Sequence, residues 1–509
     1  MRPPGPSESS PLLRPASPSP RSWRRPPPSL WVLAPPLVLH TFANHLSKTP
    51  YDQLVLLLSC KLLLGAEPGG TLPEFARCRE DANVQALTSS WMLVLDLSLS
   101  IPSLVMLPLI GFLSDRWGRK SIMISGMLGS LLNLLTIIAV GHFGLPMSSL
   151  AIAHVAEGLL GGKSAMGMTM MVYLTDVYKS STRTEAFGYF QAATWAAITF
   201  APVVGGWIIR MASDAVFPFY AAACLDVLVF SYILLVLPES KGWSSVGSDP
   251  SQHPGTETAA GSHDDSPRRA SEPRTPLSVN ISREGWILAS VFFLVYMTSP
   301  YSLFYLYTAF KFGWDAFENG KFNMINGFSK IFYIGLMLPL ALRFGGAGLR
   351  LGTSSEARLT TQDRLKRLSV ELNLARIAVL IYGAGFIGFA LAETSWVFYT
   401  VSILDGFGIV AAPILRSILS QVNSQSRQGS LFAQMEILIQ LAILVSNVVF
   451  KPIYRETVSW MPNLWLFLMA AVLGLAWLVS LFVNVEELES QCRAHADLLA
   501  TDETPDPEE

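Results

Sequence analysis

The 509-residue chain is short of charge: 15% of its residues are Asp, Glu, Lys or Arg, while 51% are hydrophobic and mean hydropathy is +0.40. A typical soluble domain carries about 25% charge, so a soluble multidomain enzyme is excluded and the chain belongs in a bilayer. It also lacks a basic excess, with a net charge of −2, and so has no electrostatic footprint for nucleic acid. Four cysteines are too few for a disulfide scaffold and lack metal-site spacing. Only Cys60 and Cys78 share a segment between apolar runs; they either bridge, if that segment faces a lumen or the exterior, or stay as two free thiols. The Pro/Ser/Arg-rich opening runs into a long apolar helix with no small-residue cleavage site, so no cleaved signal is expected. No adenylate-binding motif, haem site or catalytic triad appears, so neither a cofactor nor an enzymatic activity is expected.

The few charges are unevenly placed. Residues 1–29, 238–282, 344–373 and 487–509 make up 127 positions and hold 33 of the 74 charged residues, which leaves 41 in the other 382. A bilayer core of roughly 30 Å needs about 20 apolar residues in a helix. Twelve such stretches lie near 30–47, 86–112, 121–140, 149–176, 185–209, 215–237, 285–309, 319–342, 374–392, 395–418, 429–450 and 461–485. The Ser/Pro/Asp/His-rich linker after the sixth cannot pack a core. The expected organisation is therefore a disordered cytoplasmic tail over 1–29, a six-helix bundle over 30–237 and a disordered cytoplasmic linker over 238–284. A second six-helix bundle over 285–486 and an acidic cytoplasmic tail over 487–509 follow.

Basic loops stay on the cytoplasmic side. Of the 36 Lys and Arg residues, 25 fall on one face with both tails and the linker, 9 on the other, and Lys163 and Lys330 inside helices. The chain also repeats itself: Met106–Leu109 and Met337–Leu340 both read Met-Leu-Pro-Leu, and Glu157-Gly158 and Asp405-Gly406 follow in the fourth and tenth helices. The offset grows from 231 to 248 residues, and an insertion at 344–373 accounts for the difference. Parallel repeats of six helices are one plan of secondary transporters.

Between the second and third helices stands Gly111-Phe112-Leu113-Ser114-Asp115-Arg116-Trp117-Gly118-Arg119-Lys120. Glycines there permit a tight turn, and Asp115 can cap or pair while the basic residues stay in water or bind lipid phosphate. The string resembles the signature of the major facilitator superfamily. That resemblance implies an all-α membrane protein with twelve transmembrane helices in two pseudo-symmetric bundles, and a latch between the halves in which Asp115 and Arg119 hold and release. Gln85–Trp91, Ile101-Pro102-Ser103, Glu157–Gly162, Tyr173–Val177 and Arg183 are similar to the proton-coupled folate transporter group of solute carriers and its fungal relatives. This likeness covers mainly residues 85–210, and no substrate is carried over from it. Ala201-Pro202-Val203-Val204-Gly205-Gly206 is similar to the glycine-proline element of drug:proton antiporters; a proline kink with small packing residues explains it equally well.

Ionisable residues at membrane depth are costly and functional by default. The candidates are Asp96, Glu157, Lys163, Asp226, Lys330, Asp405 and Glu436, with His40, His45 and His154 as proton carriers. The superfamily arrangement, with helices one, four, seven and ten around a central cavity, implies a site of Glu157, Lys163, Lys330, Asp405 and Glu436. Asp226 reads as a packing or interhelical pair. Asn44 and His45 lie toward the outer end of the first helix, as a gate or an interfacial pair. Tyr301, Tyr305 and Tyr307 either stack on a planar substrate or form a membrane-interface belt. Glu8-Ser9-Ser10-Pro11-Leu12-Leu13 resembles an acidic dileucine sorting signal, which leaves the plasma membrane and a vacuolar or lysosomal membrane both open.

These features lead to the expectation of a monomeric, proton-coupled secondary transporter of a small organic solute. The expected partners are that solute, protons and membrane lipid. A non-transporting sensor or scaffold on the same fold is the alternative. The one sequon, Asn280-Ile281-Ser282, falls in the cytoplasmic linker, so glycosidase treatment should leave electrophoretic mobility unchanged. A glycan on Asn280 would invert the topology.

Overall fold

The computed structural model describes residues 28–65, 72–178, 180–240, 283–298, 301–345, 361–422 and 428–490. The dileucine-like signal, the sequon, most of the linker and the end of the acidic tail lie outside them, as do the side chains of Arg183 and Tyr301. Among the described residues all regular structure is helical. The first half comprises α1 (Leu30–Leu64), α2 (Phe75–Glu80), α3 (Ala82–Trp117), α4 (Arg119–Phe143), α5 (Ser148–Leu159), α6 (Gly162–Val177), α7 (Ser180–Ala212) and α8 (Phe217–Leu235). The second comprises α9 (Arg283–Met297), α10 (Tyr301–Phe312), α11 (Ala316–Phe332), α12 (Leu338–Gly345), α13 (Thr361–Leu391), α14 (Ser395–Asp405), α15 (Ala411–Val422), α16 (Gln428–Thr457) and α17 (Leu464–Leu481). A π-turn over Tyr333–Met337 joins α11 to α12, and a 3₁₀ turn over Gly406–Val410 joins α14 to α15.

Ten helical stretches among the described residues are long and apolar enough to cross a membrane. The 35-residue α1 and the interrupted α5–α6 pair complete twelve spans, six in each half. The fourth and tenth spans both break just after the acid-glycine pair seen in the sequence. At the first break Gly161 has φ +90°, and a Cβ there would crowd Ala165 and Ile110. Only glycine takes that backbone without strain. After Asp405, Gly406 packs against Ser329 and Gly408 against the Tyr382 ring, each too closely for a side chain.

The first helix is the main departure from the sequence reading, which ended it at residue 47. It continues through Pro50 to Leu64, where the Gly65 amide closes on the Lys61 carbonyl. Proline at position 50 frees the Leu46 carbonyl of its helical donor without ending the helix. Gly205 of α7 lies against that carbonyl, so close that a Cβ on it would overlap the oxygen. One helix thus carries a kink and its neighbour the absent side chain that accommodates it.

Of the two possibilities for the outer cysteines, the structure takes the bridge. Cys60 near the end of α1 and Cys78 on α2 are joined and fully buried. Asp81 then caps α3, its carboxylate accepting from the amides of Asn83 (2.8 Å) and Val84 (3.3 Å). Peptide mapping under non-reducing conditions should recover a Cys60–Cys78 crosslink. The Cys60→Ser/Cys78→Ser protein should unfold at lower temperature, by about 2–4 kcal/mol for a loop of this length.

Candidate functional site between the two halves

On the side that the charge distribution makes the outer one, where Leu64, Ala82, Ala212 and Ala316 lie, the halves are joined at many points. Arg79 donates to the Gly313 carbonyl (2.6 Å), and Gln53 accepts from the Ala316 amide (2.9 Å). Arg210 at the end of α7 pairs with Asp315 (2.8 Å) and Glu318 (3.0 Å) of α11, and its guanidinium stands 4.3 Å over the Phe317 ring. Further in, Gly206 abuts the backbone of Ala316 and Phe317, Gly320 abuts Pro202 and Val203, and Gly327 abuts Thr199. Pro202, Gly205 and Gly206 therefore lie at a seam: Gly205 admits α1 within its own half, and Gly206 admits α11 from the other. No side chain fits at either glycine.

A second seam joins α3 to α16. Lys451, fully enclosed, donates to the Asp96 carboxylate (2.5 Å) and to the Met92 carbonyl (3.0 Å). Ser89 donates to the Lys451 carbonyl (2.9 Å). Beside them Lys48 and Asp52 pair one turn apart on α1 (3.2 Å). Each of these four charges falls within electrostatic reach of others in the set. A buried cation missing its partner would be strongly destabilising, which explains why the two pairs sit together.

On the inner side, the turn Gly111–Lys120 folds back on the first half. Arg119 donates to Asp115 (2.6 Å), Asp176 (2.9 Å) and Ser114 (3.3 Å). Glu239, after α8, accepts from the amides of Arg119 (2.8 Å) and Lys120 (3.1 Å), placing a carboxylate on the N-terminus of α4. Gly118 has φ +94° and touches Glu239 so closely that no side chain fits. Lys120 reaches the Leu234 and Leu237 carbonyls, and Arg116 lies in the last turn of α3. Among the described residues the ion pairs of Asp115 and Arg119 stay within the first half, although the sequence resemblance implied a hold between halves. Gly111 meets nothing near its missing Cβ.

The other expected residues are dispersed. Glu157 is fully buried at the end of α5, accepting from Asn133 (2.6 Å) and Ser130 (3.3 Å) of α4. Asp405 ends α14; one oxygen accepts from Asn326 (3.3 Å), the other is buried without a partner, and Lys330 acts on it through charge. Lys163 is exposed in the first turn of α6, within electrostatic reach of His45 and His154. Asn44 donates to His40, which meets Asp226 at 3.0 Å, an α1–α8 pair of the kind expected for Asp226. Glu436 accepts from Gln440 one turn on (3.1 Å). Tyr305 and Tyr307 are enclosed in the second half, Tyr307 among Phe312, Phe398 and Trp465, so neither ring forms a belt.

Sequence reasoning missed Lys48, Asp52, Lys451 and Arg416. The first two were lost by ending the first span at 47, and Lys451 by ending the eleventh at 450. The apolar run Leu54–Leu58 beyond Pro50 was the signal available. Arg416 lies inside the tenth span, donating to the Tyr296 hydroxyl (2.9 Å) beside the Phe292 ring, with Nε buried and unpaired.

The sequence matches the family model described as Major Facilitator Superfamily over residues 55–446, well over half of the chain. The chain belongs to the major facilitator superfamily. It is 25% identical over 414 residues to the lysosomal proton-coupled steroid conjugate and bile acid symporter of Gallus gallus, covering 80% of this chain and 82% of that one. To the proton-coupled folate transporter of Bos taurus it is 24% identical over 417 residues, covering 80% and 81%. Among solved structures, a D-xylose-proton symporter superposes with a TM-score of 0.59 at 13% identity, covering 90% of this chain and 98% of that one. As a superfamily member the chain is a multi-pass integral membrane transporter protein and not an enzyme.

Asn133→Ala removes the shorter bond to buried Glu157 and should cost about 1–3 kcal/mol, seen as a lower unfolding midpoint in detergent. Ser130→Ala, losing the longer bond, should shift it less.

Proposed function

We propose that the protein moves a small organic solute across its membrane by alternating access, driven by a proton gradient. The observation that carries this reading is the placement of the contacts between halves. Among the described residues, the hydrogen bonds and ion pairs across them, from Arg79–Gly313 to Lys451–Asp96, cluster toward the outer ends of the helices. Two bundles hinged at one face can rock about a site near the midplane, as paired repeats do in secondary transporters. The names of both curated relatives include proton coupling, which supports the same reading.

The solute would lie between the halves, with Lys163, Lys330, Glu436, Asn44 and His45 among the groups it meets. Protonation of Glu157 or Asp405 would bias which face is open. Both carboxylates sit where a spanning helix breaks, and the unpartnered oxygen of Asp405 beside Lys330 is a place for a proton to bind or leave. The bridge between Cys60 and Cys78 suits an outer face in an oxidising exterior or lumen. The transporting unit is read as a monomer, since the site lies within one chain.

Purified protein in proteoliposomes should accumulate solute, identified by comparing metabolites of cells with and without the protein, only when a pH gradient is imposed. Glu157→Gln/Asp405→Asn should reduce gradient-driven uptake at least tenfold while leaving counterflow. Uptake indifferent to both the gradient and the double substitution would sink the coupling reading. Deleting 244–276 should leave transport intact; a scaffold acting through its linker would lose its activity instead.

A further inference from the structure

We propose that Lys451 is the moving charge of a proton-exchanging outer gate, competing with a proton for the carboxylates Asp96 and Asp52. The proposal rests on the proton-coupled reading above; of its residues the sequence pointed to Asp96 but not to Lys48, Asp52 or Lys451. Three members of the four-charge cluster, Lys48, Asp52 and Asp96, belong to the first half; only Lys451 belongs to the second. With the outer ends together, two ammonium groups face two carboxylates and the cluster is neutral.

Opening the outer side requires α3 and α16 to part, because Lys451 is bonded through both its side chain and its carbonyl to α3. Lys451 then leaves with the second half. One ammonium, Lys48, remains between two carboxylates in a poorly solvated setting, and the surplus negative charge takes up one proton from the outer side. When the halves close, the Lys451 ammonium returns to Asp96 and displaces that proton to water. The chemistry balances as one proton bound to a carboxylate on opening and one released on closing.

Release needs a carboxylate within reach of water, and Asp96 is partly exposed in the closed arrangement. Asp96 keeps 35% of its side chain exposed although Lys451 keeps none. Lys48 of α1, His154 of α5 and Lys451 of α16 act on Asp96 through charge, so polar groups from both halves share its surroundings. The groups that interact with Asp96 are Lys48, Tyr51 and Asp52 on α1; His154 on α5; and Lys451 on α16. Tyr305 of α10 faces Asp52, and Lys163 of α6 acts on His154. Glu157, held by Ser130 and Asn133 of α4, acts on His154 and Tyr51. On α2, Arg79 is engaged by Gly313 and Glu80. The Tyr51 hydroxyl meets the His154 ring at 3.4 Å, so a titrating imidazole stands beside the cluster and has to be separated from it in the test.

The experiment reads gate opening directly, without solute. Spin labels at Phe143→Cys and Trp460→Cys, exposed outer positions on opposite halves, are introduced into full-length protein carrying Cys224→Ser and Cys492→Ser, in lipid nanodiscs. Distance distributions are recorded from pH 5 to 8. The native cluster should show the separated population rising on acidification, by up to about tenfold in the open-to-closed ratio per pH unit for one proton exchanged. Asp96→Asn and Lys451→Met should both raise the separated population at neutral pH and flatten its pH response. Asp52→Asn removes the surplus carboxylate: the gate should stay closed at neutral pH, yet lose the pH response, which a merely structural pair would not predict. His154→Gln should leave the response in place.

An unchanged pH response in Asp96→Asn or Asp52→Asn overturns the proposal, as does its loss in His154→Gln alone. If Asp96→Asn fails to fold, Asp52→Asn and Lys451→Met decide. A native protein whose gate responds as described while uptake ignores the pH gradient refutes the proton-driven reading and leaves the gate standing; gradient-driven uptake with a gate indifferent to pH does the reverse.

Discussion

A charge carried into hydrocarbon has to be matched where it stands, and that constraint organises this molecule. Lys451 has no exposed surface, so its ammonium exists there only because Asp96 and the Met92 carbonyl receive it. The partner is on the other half of the protein. What solves a local solvation problem therefore also holds two bundles together. Arg210, nearer the water, makes a comparable connection with less at stake, because its guanidinium can be hydrated when α11 moves away.

Backbone fit is the second requirement, and glycine and proline meet it in complementary positions. Pro50 strips a donor from the Leu46 carbonyl, Gly205 approaches that carbonyl, and Gly206 one residue on meets the start of α11. Adjacent glycines thus serve one contact inside the first half and one between halves. A side chain at Gly205 would push apart α1 and α7; one at Gly206 would act on the outer seam. The antiporter-like element of the sequence is in this protein a packing device at the boundary between the halves.

Much of the fold was legible because hydrocarbon thickness imposes a length on apolar runs, and all twelve spans announced themselves that way. The first was cut short because Pro50, flanked by Lys48 and Asp52, reads as a helix end; Gly205, seated against the freed Leu46 carbonyl, accommodates it as a kink. The latch was legible as a motif, but not its bonding, since Asp176 and Glu239 lie some 60 and 120 residues from Arg119. Glu157 and Asp405 stood out by their repeat, and the breaks that follow them come from glycines visible in the sequence. The pair Asp96–Lys451 was not legible: it joins residues 355 apart, and nothing local to Lys451 distinguishes a buried lysine from one at a helix end.

The turn after α3 has a mechanical corollary. Glu239 sits on the amides of Arg119 and Lys120, and Ser240 donates to Asp176, the carboxylate that Arg119 also holds. The peptide that runs on from Ser240 toward the second half is thereby clamped at its origin to the inner corner of the first. Tension on the connection between the bundles would be delivered first to the bonds of Arg119, before any spanning helix felt it. The segment joining the halves and the motif that signs the family share one anchorage.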